Sequence, residues 1–461
     1  MTSTPPAALS GSLRWILLAT CFGFVMVQLD VTIVNVALPR IGADLGTGTA
    51  GLQWVVDSYT LAFAVLLLSA GALGDRLGSR RAYLAGFIVF TAASLACGLA
   101  PTGANLIWGR AIQGAGAALL VPSSLALLNH AFAHNPPLRA RAIGLWTAAS
   151  AVAIASGPIV GALLLRSLGW RSIFFVNLPL GAIGVAVTLR AVPGSLHDAH
   201  EHPLDLPGQL LAIAALTGLT GAVIEFRPLG AWHPLVVGGV LLAVLAGAGF
   251  VAVERRVRTP MLPLGFFQLP NVGAATGFGI LVNFTYYGVV FVLSFFLQQT
   301  HGYSPLRAGL AYLPLTITFV FSNLTSGWMA GRFGSRTPMV LGALIGATGF
   351  GLMRRLDAAS SFAAMLPAFV LLPAGMGLAV PAMTTALLSS VDRARSGTAS
   401  GVLNAARQAG GAMGVAVFGA LAGGGAGRIV PGLRTSSLVS GLLLLGAAAL
   451  GSTIKPPRGE A

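Results

Sequence analysis

The stretch Leu29-Asp30-Val31-Thr32-Ile33-Val34-Asn35-Val36-Ala37-Leu38-Pro39 closes an apolar run that begins near Ser12. A helix from about residue 13 to about 38 is about 39 Å long at 1.5 Å per residue. That exceeds the ~30 Å hydrocarbon core of a bilayer. Asp30 lies about eight residues inside this segment, or about 12 Å from its nearer end. A carboxylate at such depth costs about 3 kcal/mol on insertion scales, and groups kept there serve ion or substrate paths. Asp30 is the first candidate for coupled chemistry.

The whole chain fits a bilayer. Of its 461 residues, 55% are hydrophobic and 8% charged, against about 25% charged in soluble proteins. The composition defines an integral membrane protein, and its long apolar runs give the expected class, all-α. The net charge of +15 would suit nucleic acid, yet no basic patch with interleaved aromatics occurs. The arginines fall singly or in small groups between apolar runs and read as topology signals. Cys21 and Cys97 both lie in apolar runs and are expected to be inert thiols. The first run is too long for a signal-peptide core and lacks a small-residue cleavage pattern, so it is expected to stay as the first span.

Hydropathy predicts fourteen spans, near 13–38, 52–73, 82–100, 105–129, 141–165, 172–190, 206–225, 234–253, 272–298, 307–330, 337–353, 362–389, 397–421 and 435–453. With the N-terminus inside, sixteen Lys and Arg fall in cytoplasmic segments, nine in outer loops, and Arg110 and Arg407 within spans. This positive-inside bias puts both termini in the cytoplasm.

A repeat is also visible. Gly71-Ala72-Leu73-Gly74-Asp75-Arg76-Leu77-Gly78-Ser79-Arg80 returns as Gly327-Trp328-Met329-Ala330-Gly331-Arg332-Phe333-Gly334-Ser335-Arg336, 256 residues on. Val121-Pro122 returns as Val380-Pro381, and Gly144 and Gly157 as Gly401 and Gly414. Span n thus matches span n+8. Two six-span halves would give n+6, so spans seven and eight read as an insertion. The expected domains are an N-terminal six-helix bundle (1–190), a cytoplasmic linker with the inserted pair (191–258), and a C-terminal six-helix bundle (259–461). Parallel halves of this kind are a transporter plan with substrate held between them near the midplane. In the linker, His197, Asp198, His200, Glu201 and His202 cluster. A solvated loop is expected there rather than a metal site, because nothing supplies a rigid ligand frame.

The turn Gly71…Asp75-Arg76…Gly78…Arg80 resembles the signature loop of the major facilitator superfamily. The opening stretch, with Trp170-Arg171…Phe174…Asn177-Leu178-Pro179…Gly181, resembles the fourteen-span drug:proton antiporter branch of EmrB/QacA type. The resemblance covers nearly the whole chain. It implies the major facilitator fold, a conformational latch at Gly71, Asp75, Arg76, Gly78 and Arg80, and proton coupling at Asp30 with the span-four Arg110. Their depths, about 12 Å and about 8 Å below the outer ends of antiparallel spans, allow a pair. A nearby guanidinium favours the carboxylate form, and its withdrawal favours protonation. Ser156-Gly157-Pro158-Ile159-Val160-Gly161 resembles the antiporter motif of exporting branches, with Gly157, Pro158 and Gly161 as its core. The sequence departs from the family at Gly331, which replaces Asp75 in the second copy, and near the end of span four, where Asn129-His130-Ala131-Phe132-Ala133-His134 offers no acid.

Candidate substrate contacts are Asn35, Asp57, Gln113, Asn283, Tyr286 and Tyr287. Asp57 is placed near the outer end of span two, where it either attracts a cationic substrate or faces an aqueous vestibule. The two tyrosines fall where the repeat would put an Asp30 equivalent. No acid lies within spans nine to fourteen, so polycations are disfavoured as substrates. No metal-ligand pair, nucleophile–base set or Walker-type loop occurs within the spans, so neither an enzyme nor an ATP-driven pump is expected. The chain reads as a multidrug exporter of hydrophobic or amphipathic small molecules, driven by the proton gradient without a cofactor or metal. Its expected partners are substrate and membrane lipid, and it is expected to act as a monomer in the inner membrane. The rivals are a narrow exporter of one metabolite or antibiotic and a non-transporting membrane sensor.

Overall fold

The structure is a computed structural model that describes residues 11–133, 135–193, 205–257, 260, 262–269, 271–391 and 396–455. The histidine cluster at 197–202 lies outside the described residues. Helices cover all fourteen predicted apolar stretches, and no strand occurs among the described residues. In order they are α1 (Gly11–Leu45), α2 (Thr49–Leu77), α3 (Ser79–Gly98), α4 (Gly103–Ala131), α5 (Pro136–Leu168), α6 (Ser172–Phe175), α7 (Asn177–Ala191), α8 (Leu206–Leu229) and α9 (Pro234–Glu254). They continue as α10 (Val272–Phe295), α11 (Pro305–Ala311), α12 (Leu313–Phe333), α13 (Arg336–Met353), α14 (Phe362–Leu388), α15 (Ser396–Ala422) and α16 (Ala426–Ser452). Eleven of the stretches form helices long and apolar enough to cross a membrane, and bent α5 makes a twelfth. The chain is a multi-pass membrane protein.

Helices overrun the predicted spans because an apolar run marks the hydrocarbon edge rather than the end of hydrogen bonding. Thus α1 continues through Pro39 to Leu45. Trp170 Nε1 donates to Asp44 Oδ2 at 2.8 Å and Arg171 Nη2 to the Ala100 carbonyl at 3.3 Å, which ties the ends of α1 and α3 to the α5–α6 junction. In α5, Pro158 leaves a carbonyl unpaired one turn back, and the axis bends by 41° between Ala142–Ile154 and Ser156–Leu168.

The packing repeats as the sequence does. In the first part α1 packs on α5 and α7, α2 on α4, and α3 on α4 and α7. In the second, α10 packs on α15 and α16, α12 on α14, and α13 on α14 and α16. Helix α8 touches both sets through α2 and α15, while α9 packs chiefly on α8. Gln209 Nε2 donates to the Val65 carbonyl at 2.9 Å, Ser69 bonds Gln209, and Trp54 Nε1 donates to Glu225 Oε1 at 3.3 Å. Leu241, Val244 and Leu245 on α9 are exposed, as a lipid-facing surface requires.

Hydrogen bonds between the two sets cluster at one end. There Gln53 Nε2 donates to the carbonyls of Ala416 (2.6 Å) and Val415 (3.3 Å), Gln298 Nε2 to that of Val36 (3.0 Å), and Ser294 Oγ to that of Asn35. Gly309 of α11 packs at the same end on Pro158 and Ala162 of α5.

The signature turn is shorter than its motif suggests. Gly71 through Arg76 are helical, and the chain reverses at one residue, Gly78 (φ 87°, ψ 132°); Gly334 (φ 73°, ψ 163°) repeats this between α12 and α13. Side chains are excluded from that backbone region at a cost of about 1–3 kcal/mol. Gly78→Ala should therefore lower unfolding stability by about that amount, read as a depressed Tm in detergent. Gly71 has open space around its missing Cβ, so Gly71→Ala should be neutral or slightly stabilising. Equal losses in the two variants would contradict this account of the turn.

Candidate functional site

Asp30 and Arg110 meet inside the first helix set. Asp30 Oδ2 lies 2.5 Å from Arg110 Nη1, with exposures of 0% and 1%. Asp30 Oδ1 accepts from Gln113 Nε2 and Asn177 Nδ2, both at 2.8 Å. Arg110 Nη1 also donates to Gln113 Oε1 (2.7 Å), and its Nε to the Val55 carbonyl (3.1 Å). Ser94 Oγ accepts from Gln113 (2.8 Å) and Asn177 (3.3 Å). The Tyr59 ring lies 4.2 Å from the guanidinium carbon and the Phe174 ring 6.0 Å. Elements α1, α2, α3, α4, α6 and α7 therefore converge on one carboxylate, which satisfies the charge in a fully buried site.

Their spacing explains the convergence. Arg110 and Gln113 are three residues apart on α4, so they share one face. Asn177 opens α7 just after the break that follows α6, which turns its carboxamide toward α1. Sequence reasoning missed Ser94, Tyr59 and the role of Asn177. Asn177 stands in the quoted motif, and that was the available signal.

The other candidates divide by burial. Gln113, expected at substrate, is 0% exposed within the Asp30 network. Asn35 bonds the Val31 carbonyl and Asn283 the Gly279 carbonyl, each one turn back in its own helix, and both are buried. Asp57 faces no vestibule: it is 0% exposed and neither oxygen has a hydrogen-bond partner. In the state described, Asn35 and Asp57 are closed over by the helices packed at the joined end. Tyr286 and Tyr287 remain half-buried. Their rings meet edge to face at 5.5 Å, and Tyr286 stacks with Phe319 at 6.2 Å.

In the signature turn, Arg80 Nη2 donates to the Leu189 carbonyl at the end of α7 (3.0 Å), and Arg76 is exposed. The Asp75 side chain lies outside the described residues. In the exporting motif, a Cβ on Gly157 would meet the Thr32 side chain, and one on Gly161 would come 2.9 Å from the Ile33 carbonyl. The missing side chains bring α5 into backbone contact with α1 two and three residues beyond Asp30.

Repeated helix packing around an ionisable pair held inside the bundle is the plan of a membrane transporter. The Major Facilitator Superfamily model matches residues 20–415, and the chain belongs to this superfamily. It is 40% identical to the methylenomycin A resistance protein of Streptomyces coelicolor over 401 residues, 87% of this chain and 84% of the relative. It is 40% identical to multidrug resistance protein Stp of Mycobacterium tuberculosis over 405 residues, covering 88% and 75%. Identity to the tetracenomycin C resistance and export protein of Streptomyces glaucescens is 36% over 430 residues, covering 93% and 79%. The fold matches that of the human organic anion transporter MFSD10 (TETRAN) with a TM-score of 0.67, over 97% of this chain and 100% of that one, at 15% identity. The family and these relatives are transporters, not enzymes.

Removing one member of a buried ion pair strands the other. Asp30→Asn should cost about 3–5 kcal/mol because Arg110 is left uncompensated, and adding Arg110→Gln should recover part of the loss. A double-mutant cycle on thermal or denaturant unfolding should show coupling above about 1 kcal/mol. Additive losses would contradict the pair as drawn.

Proposed function

We propose that this protein is a proton-coupled antiporter that exports hydrophobic or amphipathic small molecules from the cell. The observation that carries the reading is Asp30, a carboxylate inside the bundle held by three donors, Arg110, Gln113 and Asn177. The relatives at 36–40% identity, named for antibiotic and multidrug resistance, support efflux as the direction.

In this reading all fourteen helical stretches cross the inner membrane, with both termini cytoplasmic as the arginine distribution favours. Residues 1–190 and 259–461 form two six-helix bundles, and 191–258 add a linker and the pair α8–α9. The joined end is then the outer one, so the state described is closed to the outside. Asp30 in its carboxylate form holds Arg110. A proton arriving there removes the charge that fixes the guanidinium and loosens the network. Helix α1 carries that change to Thr32 and Ile33 against α5, and to Asn35 and Val36 against Ser294 and Gln298. Gly71, Asp75, Arg76, Gly78 and Arg80 act as the latch at the opposite surface. The proton gradient is the only driver, with no cofactor. Substrate and lipid are the partners, nucleic acid is not, and the protein acts as a monomer.

A narrow exporter of one antibiotic is the second reading, favoured by two relatives named for single compounds. Inverted vesicles test the first. Adding substrate should collapse an imposed pH gradient with wild-type protein and leave it intact with Asp30→Asn. Collapse at the wild-type rate in the variant would refute coupling through Asp30. A panel of unrelated compounds in the same vesicles separates broad from narrow specificity.

A further inference from the structure

The second helix set contains a cation with no charge partner among the described residues. Arg407 lies on α15, about 16 Å along the helix from its start. Its stem packs beside Gly279 of α10, where an added Cβ would come 3.1 Å from Arg407 Cγ and 2.9 Å from Met383 Sδ. Its Nε is buried without a hydrogen-bond partner, and its guanidinium makes no ion pair or hydrogen bond with a described residue. The chain has twelve acids, and none lies within α10 to α16. Asp30 belongs to Arg110, and Asp357, in the loop before α14, lies against Arg434 at 3.9 Å. Arg110 has a carboxylate partner, whereas Arg407 has none among the described residues.

An uncompensated guanidinium inside a membrane is costly and marks a functional path. Its surroundings indicate what compensates it. Arg407, Tyr286 and Tyr287 are half-buried, so each keeps a reachable part at mid-helix depth. One turn beyond Arg407, the Tyr287 ring lies over Gly411, within 2.9 Å of where its Cβ would be. Tyr286 and Phe319 extend this wall with their stacked rings. From the first helix set, the Tyr59 hydroxyl is also buried without a hydrogen-bond partner.

We propose that Arg407 anchors the anionic group of the exported molecule, so that the protein prefers aromatic or amphiphilic carboxylates over their neutral or cationic analogues. This rests on the export reading and names the substrate class within it. The planar guanidinium offers paired donors that match a carboxylate, and the wall of Tyr286, Tyr287 and Phe319 receives an apolar body. A cationic amphiphile meets the same wall with a repelling charge beside it.

The test measures binding to purified wild-type protein by fluorescence or calorimetry, using matched pairs: arene carboxylic acids of one to four fused rings and their primary amides. Acids should bind about tenfold more tightly than their amides, the worth of a charge-assisted hydrogen bond in such a site. Arg407→Gln should erase the difference while keeping amide affinity, and Arg407→Lys should restore part of it. Amides binding as tightly as acids, no acid binding at all, or an unchanged preference in Arg407→Gln would overturn the proposal. The wild-type comparison stands even if a variant fails to fold. The acid–amide comparison needs no imposed pH gradient, so failure of antiport in vesicles and failure of the acid preference are separate results.

Discussion

A carboxylate buried in a membrane must be held by other groups or lose its charge, and the first half of this protein is built around that constraint. Asp30 cannot be satisfied by its own helix, whose backbone is already hydrogen-bonded. Its donors must come from elsewhere, and α4 and α7 supply them. Arg110 in turn needs more acceptors than one carboxylate offers, and takes the Val55 carbonyl of α2 and the Gln113 amide. One charge therefore fixes the mutual register of helices that are far apart in sequence.

Helix α1 places this site next to the joint between the two helix sets. Residue 30 faces α4 and α7, residues 32 and 33 touch α5 at Gly157 and Gly161, and the carbonyls of 35 and 36 accept from Ser294 of α10 and from Gln298 just beyond its end. The distance from Asp30 to Val36 along the axis is about 9 Å, less than two turns of helix. Helix α5 continues the chain of contacts, since Pro158 and Ala162 press on Gly309 of α11. A change in the Asp30 network thus has a short mechanical route to the contacts that hold the two sets together. The pair α8–α9 follows a different logic. Gln209 and Glu225 of α8 bond to α2, and the pair's outer helix presents bare hydrocarbon.

Much of this was legible in the sequence, for specific reasons. Charges are rare in apolar helices, so Asp30 and Arg110 stood out, and matched depth made them a pair. The glycine-rich turn announced itself twice, and the structure repeats the positive φ at Gly78 and Gly334. Helix ends were less legible, because hydropathy reports where apolar side chains stop while α1 and α2 continue well beyond. Neutral polar residues were least legible. Gln113, Asn177 and Ser94 were indistinguishable in sequence from Asn35 and Asn283, since rotation of one helix against another decides which amide faces a carboxylate and which turns back on its own backbone. Arg407 was visible as a buried charge, but its lack of a partner is a tertiary fact.

The central claim, that Asp30 exchanges a proton against substrate, is tested most directly by counting protons released on binding. Calorimetry of substrate binding in two buffers of different ionisation enthalpy gives that number. For the wild type the observed heat should differ between buffers by an amount corresponding to a released proton, and for Asp30→Asn the two heats should coincide. Equal heats in the wild type, or the same difference in the variant, would contradict the assignment.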